Sequence, residues 1–265
     1  MDLLHVIILA LVQGITEFLP ISSSAHLLLP AEILGWPDQG LAFDTAVHLG
    51  TLTAVASYFR RDIAGLAAAT SQHVFKGAAS DDSRFAICLL IASLPILPVG
   101  FFGRFVIEAN LRHVEIIIGT TIGFGLLLLA ADRFRGKADH HAELTPGGAL
   151  MIGIAQCLAL IPGTSRSGVT MTAALFLGYT RETAARISLL ISIPAIAGAA
   201  TVKLWDLLHQ PEAVDWMAIS LGVLLSGLSA YACIALFLKM IERIGLVPFV
   251  VYRMLLGLLL ILIIY

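Results

Sequence analysis

Charge is what this chain has least of. Only 13% of its 265 residues are Asp, Glu, Lys or Arg, and 58% are hydrophobic, whereas a soluble domain carries about 25% charged residues. A basic excess is missing as well. The net charge of -2 and a sequence pI near 6.4 leave no electropositive face for nucleic acid, which excludes that class of partner. Cysteine is scarce, and Cys88, Cys157 and Cys233 each lie inside an apolar run, so neither a disulfide framework nor a cysteine metal site is expected. The first residues, Met1-Asp2-Leu3-Leu4-His5, lack the basic flank of a signal peptide, and no small-residue cleavage site follows; no cleavage is expected there.

Apolar sequence is what the chain has in quantity. With a mean hydropathy of +0.94, it reads as an all-α polytopic membrane protein, a single integral membrane domain over residues 1–265. Runs near the roughly 20 residues that cross a bilayer predict full spans at about 42–59, 85–103, 114–131, 187–206, 216–238 and 246–265. The stretch from Arg60 to Arg84 is amphipathic at best and is expected at the interface.

Two stretches break this pattern in the same way. Met151 to Ile161 and Val169 to Leu177 are apolar but too short to span alone, and Pro162-Gly163-Thr164-Ser165-Arg166-Ser167-Gly168 lies between them. The pair reads as a re-entrant hairpin with Arg166 at its tip. A solvated arginine in a cytoplasmic loop is the plain alternative. The hydroxyls of Thr164, Ser165, Ser167 and Thr170 around it favour the hairpin, because charge at membrane depth marks function. A helix N-terminus with free amides beside a guanidinium is suited to phosphate. Near the N-terminus, Leu3 to Leu19 is broken at Pro20, and Ile21-Ser22-Ser23-Ser24-Ala25-His26 leads into a second short run ending near Gly35-Trp36-Pro37. This predicts another re-entrant hairpin, since irregular backbone at that depth survives only inside protein or beside a cavity.

Loop charges give the orientation. Arg60, Arg61, Lys76, Arg84, Arg133, Arg135, Lys137, Arg181, Arg186, Lys239 and Arg243 fall on one side, and Arg104, Arg112 and Lys203 on the other; eleven against three makes the first side cytoplasmic. The loop with Asp206, Glu212 and Asp215, both termini and the Trp36 to Gly40 turn are then outside. Each hairpin is followed by three spans, and the two enter from opposite sides. The expected architecture is therefore six full transmembrane helices plus two re-entrant helical hairpins in an inverted repeat, with halves of about 1–135 and 145–265. Gln13 to Ser24 and Gln156 to Ser167 share a Gln, a Pro and serines at nearly equal spacing.

The chemistry sits on the hairpins. Gln13 and Glu17 are four apart, on one helical face before the Pro20 break. A carboxylate at that depth needs a cation, a shared proton or an arginine, and a plain ion pair with Arg166 would suffice. Ser22, Ser23 and Ser24 would equally serve as helix caps, and His26 alone would be a satisfied core residue. Together they supply a nucleophile, a base and a phosphate clamp.

At these residues the chain resembles a known family. Gln-Gly-Ile-Thr-Glu-Phe-Leu-Pro-Ile-Ser-Ser from Gln13 to Ser23, with His26, is similar to the first signature of the undecaprenyl-diphosphatase family, known also from bacitracin resistance. Pro162 to Thr170 resembles its second signature. Phe43-Asp44 through His48-Leu49-Gly50 and Pro248-Phe249-Val250-Val251-Tyr252-Arg253 also fit. The resemblance implies an enzyme of the bacterial inner membrane, with a site open to the outer face, that removes the terminal phosphate of a long-chain isoprenoid diphosphate. It recycles the lipid carrier for cell-wall synthesis. It also implies a divalent cation, Mg²⁺ with Ca²⁺ as the alternative, on Glu17. Ser23 would be the nucleophile, His26 an acid or base, and Arg166 the clamp, with Gln13, Ser22, Gly163, Thr164, Ser165, Ser167 and Thr170 binding substrate. Gln13 stands where the family also has an acid, so two carboxylates are not available to a metal there. Expected partners are the polyprenyl diphosphate lipid, membrane lipids and, as an open option, a second copy in a homodimer. Two rivals stay open: a transporter or flippase of the lipid phosphate carrier, and a histidine-nucleophile lipid phosphatase. For the latter, His140 and His141 lie in a polar loop, and His5, His73, His113 and His209 lack paired Arg and His companions.

Overall fold

The computed structural model describes residues 2–111, 113–134, 143–208 and 215–264, and among these it forms twelve α-helices and no strand. Arg112, Arg135, Lys137, His140, His141, His209 and Glu212, discussed above, lie outside the described residues.

Helices α1 (Leu3–Thr16) and α2 (Ser23–Leu34) form the first broken pair. Asp2 caps α1 by accepting from the Leu4 amide at 3.3 Å, and α2 ends on Gly35, whose φ of 64° is the left-handed conformation that closes a helix. Both are short: at 1.5 Å per residue, the 14 residues of α1 rise about 21 Å, well under the roughly 30 Å of a bilayer core. The second broken pair is α8 (Pro146–Cys157), a single 3-10 turn Leu158–Leu160, and α9 (Arg166–Phe176). Thr145 caps α8 by accepting from the Gly148 amide at 3.1 Å, with Pro146 in the first turn, where its missing N–H is not needed.

Five helical segments are long and apolar enough to cross a membrane. They are Asp81–Ile107, Val114–Phe134, Arg181–Asp206, Trp216–Ile244 and Val247–Ile264. The first joins α5 (Asp81–Ser93) and α6 (Ile96–Asn110) across a break at Leu94 and Pro95. The others are α7 (Val114–Phe134), α10 (Arg181–Leu208), α11 (Trp216–Ile244) and α12 (Val247–Ile264). The chain is thus a helical, multi-pass membrane protein. The run expected at 42–59 is α3 (Gly40–Tyr58), which has 19 residues but is not among the five, since it carries Asp44, His48 and four Thr or Ser. α4 (Arg60–Lys76) buries no residue, which suits an interfacial helix.

Small residues let the helices close on one another. α11 is packed against both α1 and α3. A Cβ on Gly14 would fall 1.9 Å from the Ser229 hydroxyl oxygen and 2.5 Å from the Ser226 carbonyl oxygen, and one on Gly50 2.1 Å from the Ser226 hydroxyl oxygen and 2.4 Å from the Val223 carbonyl oxygen, so α1 and α3 lie directly on the backbone and small serines of α11, a packing that membrane helices favour. The main core gathers Leu128, Ile152, Met171, Leu175, Ile187, Ile191 and Ile234 around Phe18, the residue directly after Glu17. Polar ties hold the long helices at one level. Arg181 forks onto Asp132 at 2.6 and 2.8 Å, joining α10 to α7, and Arg186 pairs with Asp62, joining α10 to α4.

Candidate active site

Each broken pair turns on a serine in an unusual conformation. Ser22 (φ 74°, ψ 92°) and Ser165 (φ 71°, ψ 111°) are the two non-glycine residues with positive φ among the described residues. Such a conformation costs about 1–3 kcal/mol and concentrates at functional sites. Each stands at the N-cap of the second helix of its pair, with its hydroxyl 3.2 Å from that of the serine two positions on, Ser24 or Ser167. Nine residues before each lies a glutamine, Gln13 or Gln156, that is fully buried and leaves its Oε1 unpartnered.

One arginine clasps both turns. Arg253, with no exposed surface, donates from Nε to the Thr121 carbonyl at 2.9 Å and from Nη1 to those of Thr164 and Pro20 at 3.0 and 3.3 Å. Its Nη2 donates to the carbonyls of Gly163 and Thr120 at 3.0 and 3.1 Å. The turns also touch directly, since the Ser167 hydroxyl donates to the Leu19 carbonyl at 2.8 Å. The Thr120 hydroxyl reaches the Pro162 carbonyl at 2.6 Å. Gly163 is required there: its φ is 86°, and a Cβ would fall 2.2 Å from the Thr120 hydroxyl oxygen.

Where the turns meet, a carboxylate is surrounded by donors. Glu17 Oε1 accepts from Arg166 Nη2 at 3.0 Å, while Oε2 accepts from Gln13 Nε2 at 2.9 Å and from the Ser23 hydroxyl at 2.6 Å. Arg166 also donates from Nη1 to the Ser188 carbonyl at 3.1 Å. Thr170 lies behind it, with its Oγ1 2.8 Å from Ser188 Oγ. The side chains of Glu17 and Arg166 are only 8% and 12% exposed, so the charges meet in a low-dielectric setting that strengthens their pull. Gln13, Glu17, Ser23 and Arg166 therefore form one chain of hydrogen bonds, its Glu17–Arg166 link joining residues 149 apart in sequence, which goes beyond a plain ion pair because the serine hydroxyl joins it.

The remaining expected residues have other neighbours. Ser165 caps α9, its Oγ accepting from the Gly168 amide at 3.2 Å, while Ser22 makes no side-chain cap. Thr164 is fully buried, gives its carbonyl to Arg253 and leaves its hydroxyl unpartnered. Neither recorded partner of the His26 ring is the carboxylate. Its Nδ1 lies 2.7 Å from the Ser22 carbonyl and its Nε2 2.5 Å from the Tyr252 hydroxyl. A carbonyl only accepts, so Nδ1 carries the proton and Nε2 accepts from the tyrosine.

Four residues at the site have no role in the sequence reading. They are Arg253, Tyr252, Ser188 and His48. His48 Nε2 lies 4.0 Å from Glu17 Oε2, and its Nδ1 donates to the Asp44 carbonyl at 2.7 Å, which leaves a lone pair on Nε2 in the neutral ring. An arginine in the middle of the last apolar run was a visible signal for Arg253. Asp44 and His48, four apart in an apolar helix, were one for α3. Ser188 offered none.

The donor set also bears on a metal ion. Among the described residues no group of three or more His, Cys, Asp and Glu comes together. Glu17 Oε1 takes one donor and keeps a lone pair, and the Gln13 amide oxygen is unpartnered. That fits a hard cation which keeps several waters and draws few ligands from protein.

The family model described as bacitracin resistance protein BacA matches residues 6–259. An undecaprenyl-diphosphatase from Teredinibacter turnerae is 54% identical over 260 residues, covering 98% of each chain. Those from Alcanivorax borkumensis and Hahella chejuensis are 52% and 53% identical over 257 residues, covering 97% of this chain and 97% and 96% of theirs. With both broken turns, the carboxylate and the arginine inside a match of that extent, this chain belongs to the bacitracin resistance protein BacA family.

Proposed function

We propose that this protein hydrolyses undecaprenyl diphosphate to undecaprenyl phosphate and inorganic phosphate, an activity that recycles a cell-wall lipid carrier and opposes bacitracin. The observation that carries this reading is the Ser23 hydroxyl, hydrogen-bonded at 2.6 Å to a carboxylate whose other oxygen is held by Arg166. An activated hydroxyl beside a fixed guanidinium is what phosphoryl transfer needs, since its catalysis is mostly positioning and charge stabilisation.

In this mechanism Arg166 binds the terminal phosphate, and its bond to the Ser188 carbonyl keeps the guanidinium plane fixed. Ser23 attacks the terminal phosphorus in line as its proton passes to Glu17. Three donors already converge on that carboxylate. His48 Nε2, with its lone pair 4.0 Å from Glu17 Oε2, is placed to take the proton on from there. The bridging P–O bond breaks and undecaprenyl phosphate leaves, taking that proton. The freed pair then takes a proton from water as it attacks the phosphoserine; the Oγ–P bond breaks, the proton returns to Ser23 and inorganic phosphate departs. A divalent cation such as Mg²⁺, held by Glu17 Oε1, Gln13 Oε1 and the diphosphate oxygens, would offset the negative charge on the substrate. His26 and Tyr252 hold the Ser22 turn against α12, which supports a positioning role for the histidine.

The same reading extends to the membrane. Six spans, with α3 as the sixth, and two re-entrant hairpins make halves of about 1–135 and 145–265. The matching conformations of Ser22 and Ser165 and the paired glutamines Gln13 and Gln156 support an inverted repeat. The protein sits in the inner membrane with its site open to the outer face. The test is phosphate release from undecaprenyl diphosphate by purified protein in detergent, where transport has no meaning, with and without a chelator. Arg166→Ala should abolish release; activity at the wild-type level in that variant would sink the reading.

A further inference from the structure

Arg253 is fully buried, and every partner it has is a neutral backbone carbonyl. Among the described residues no carboxylate pairs with it. Glu17 and Arg166, the other charges where the two turns meet, cancel one another. One positive charge is therefore left over beneath the candidate active site. A buried cation without an anion is costly, and at membrane depth it marks function; carbonyl dipoles orient around it but do not neutralise it. Its place in the fold is close to the chemistry. Arg253 Nη1 holds the Thr164 carbonyl, two residues before Arg166. Two residues of chain span at most about 7 Å, which puts the guanidinium within about 10 Å of the Arg166 Cα. The peptide unit held at Thr164 carries the Ser165 amide on its opposite edge, so the pull on the carbonyl makes that amide more positive at the start of α9. A Cβ on Gly168 would stand 3.3 Å from Nη1, and the guanidinium thus lies against the first turn of α9.

We infer that Arg253 supplies the net positive charge of the site, a positioning residue that draws the diphosphate onto Arg166 through its field without touching it. The inference rests on the phosphatase reading and adds the source of attraction for the charged head. Arg166 is not that source before substrate arrives, because Glu17 offsets its charge. The diphosphate is the anion that the buried guanidinium lacks. A unit charge about 10 Å away, at an effective dielectric near 20, changes the binding of each substrate charge by on the order of tenfold. The total charge of the diphosphate is the same in the ground and transition states, so this pull is uniform: it lowers KM and leaves kcat almost untouched. An arginine that did no more than tie the turns would act the other way. Its loss would displace Ser23 and Arg166 and lower kcat.

The test cancels the charge while keeping the arginine. Thr121 is fully buried, its carbonyl accepts from Arg253 Nε, and its hydroxyl is unpartnered. Thr121→Asp in the full-length protein puts a carboxylate on that residue, and the neighbouring guanidinium keeps it ionised. Thr121→Asn is the uncharged counterpart. With undecaprenyl diphosphate in detergent, Thr121→Asp should raise KM by on the order of tenfold or more with kcat nearly unchanged, and Thr121→Asn should leave KM near the wild-type value. An unchanged KM in Thr121→Asp, or an equal rise in Thr121→Asn, would overturn the inference. A fall in kcat at unchanged KM would make Arg253 a structural tie only, which overturns it as well. Should Thr121→Asp fail to fold, Arg253→Lys and Arg253→Met decide the matter. The lysine keeps the charge and loses hydrogen bonds, so its KM should rise far less than that of the methionine variant; equal rises would overturn the charge role. A wild-type protein that releases no phosphate would instead overturn the phosphatase reading beneath it.

Discussion

At the scale of single residues, the site depends on geometry that charge alone does not provide. Arg166 presents two nitrogens in one plane, one to Glu17 and one to Ser188, and an ammonium cannot copy that fork. Arg166→Lys should therefore lower kcat by on the order of 10²-fold or more, measured as phosphate release, despite keeping the charge. Ser23 is argued to be the nucleophile, so Ser23→Ala should abolish turnover while diphosphate still binds in a calorimetric titration. Ser22→Ala and Ser24→Ala should be milder, because those hydroxyls contact each other rather than the carboxylate. Substantial hydrolysis by Ser23→Ala would point to direct attack by water. His48→Ala should reduce kcat by on the order of 10²-fold with little change in KM, since the ring faces Glu17 and not the clamp. The Glu17, Ser23 and Arg166 set was legible because their types and spacing are unusual in apolar sequence. The orientation of His26 was not, because its partner Tyr252 lies 226 residues away and nothing local announces it.

At the scale of elements, run length told more than local chemistry. The runs that became α7, α10, α11 and α12 were readable as spans because hydropathy integrates over about 20 residues. Their ends were not, as with α1, which stops at Thr16 and so frees Glu17 and Phe18 to turn inward before Pro20. The break between α5 and α6 at Leu94 and Pro95 was hidden inside one continuous apolar run. What joins the elements was the least visible, because the turns are held by backbone carbonyls that no sequence pattern marks. Arg253 satisfies five of them from three segments. Leaving a buried polar group unpaired costs roughly 1–3 kcal/mol, so Arg253→Met should lower the thermal midpoint in detergent by at least about 5 °C. Arg253→Lys should fall between the two, as three donors cannot serve five acceptors. An unchanged midpoint in Arg253→Met would mean the turns are held by their direct contacts alone.

At the scale of the whole molecule, orientation follows from where the cations lie and from how the helices are tied. Arg181 and Arg186 near one end of α10 pair with Asp132 and Asp62, which gathers the ends of α7 and α4 at the same level. Arg104 and Lys203 pair with Asp206 and Asp44 towards the other end. The basic excess belongs to the first level, and on the proposed orientation the positive-inside rule puts that level in the cytoplasm. That orientation has the Trp36 to Gly40 turn facing outward and the loop at 77–80 facing inward. In a background where Cys88, Cys157 and Cys233 are replaced by alanine, Asp38→Cys should react with an impermeant thiol reagent added to intact cells. Ala79→Cys should react only after the membrane is permeabilised, and both positions are exposed, so access from the correct side is all that limits labelling. The opposite pattern would invert the molecule. A clamp reached from the cytoplasm could not then act on a lipid diphosphate delivered at the outer face, so the labelling tests the direction of the chemistry as well as the topology.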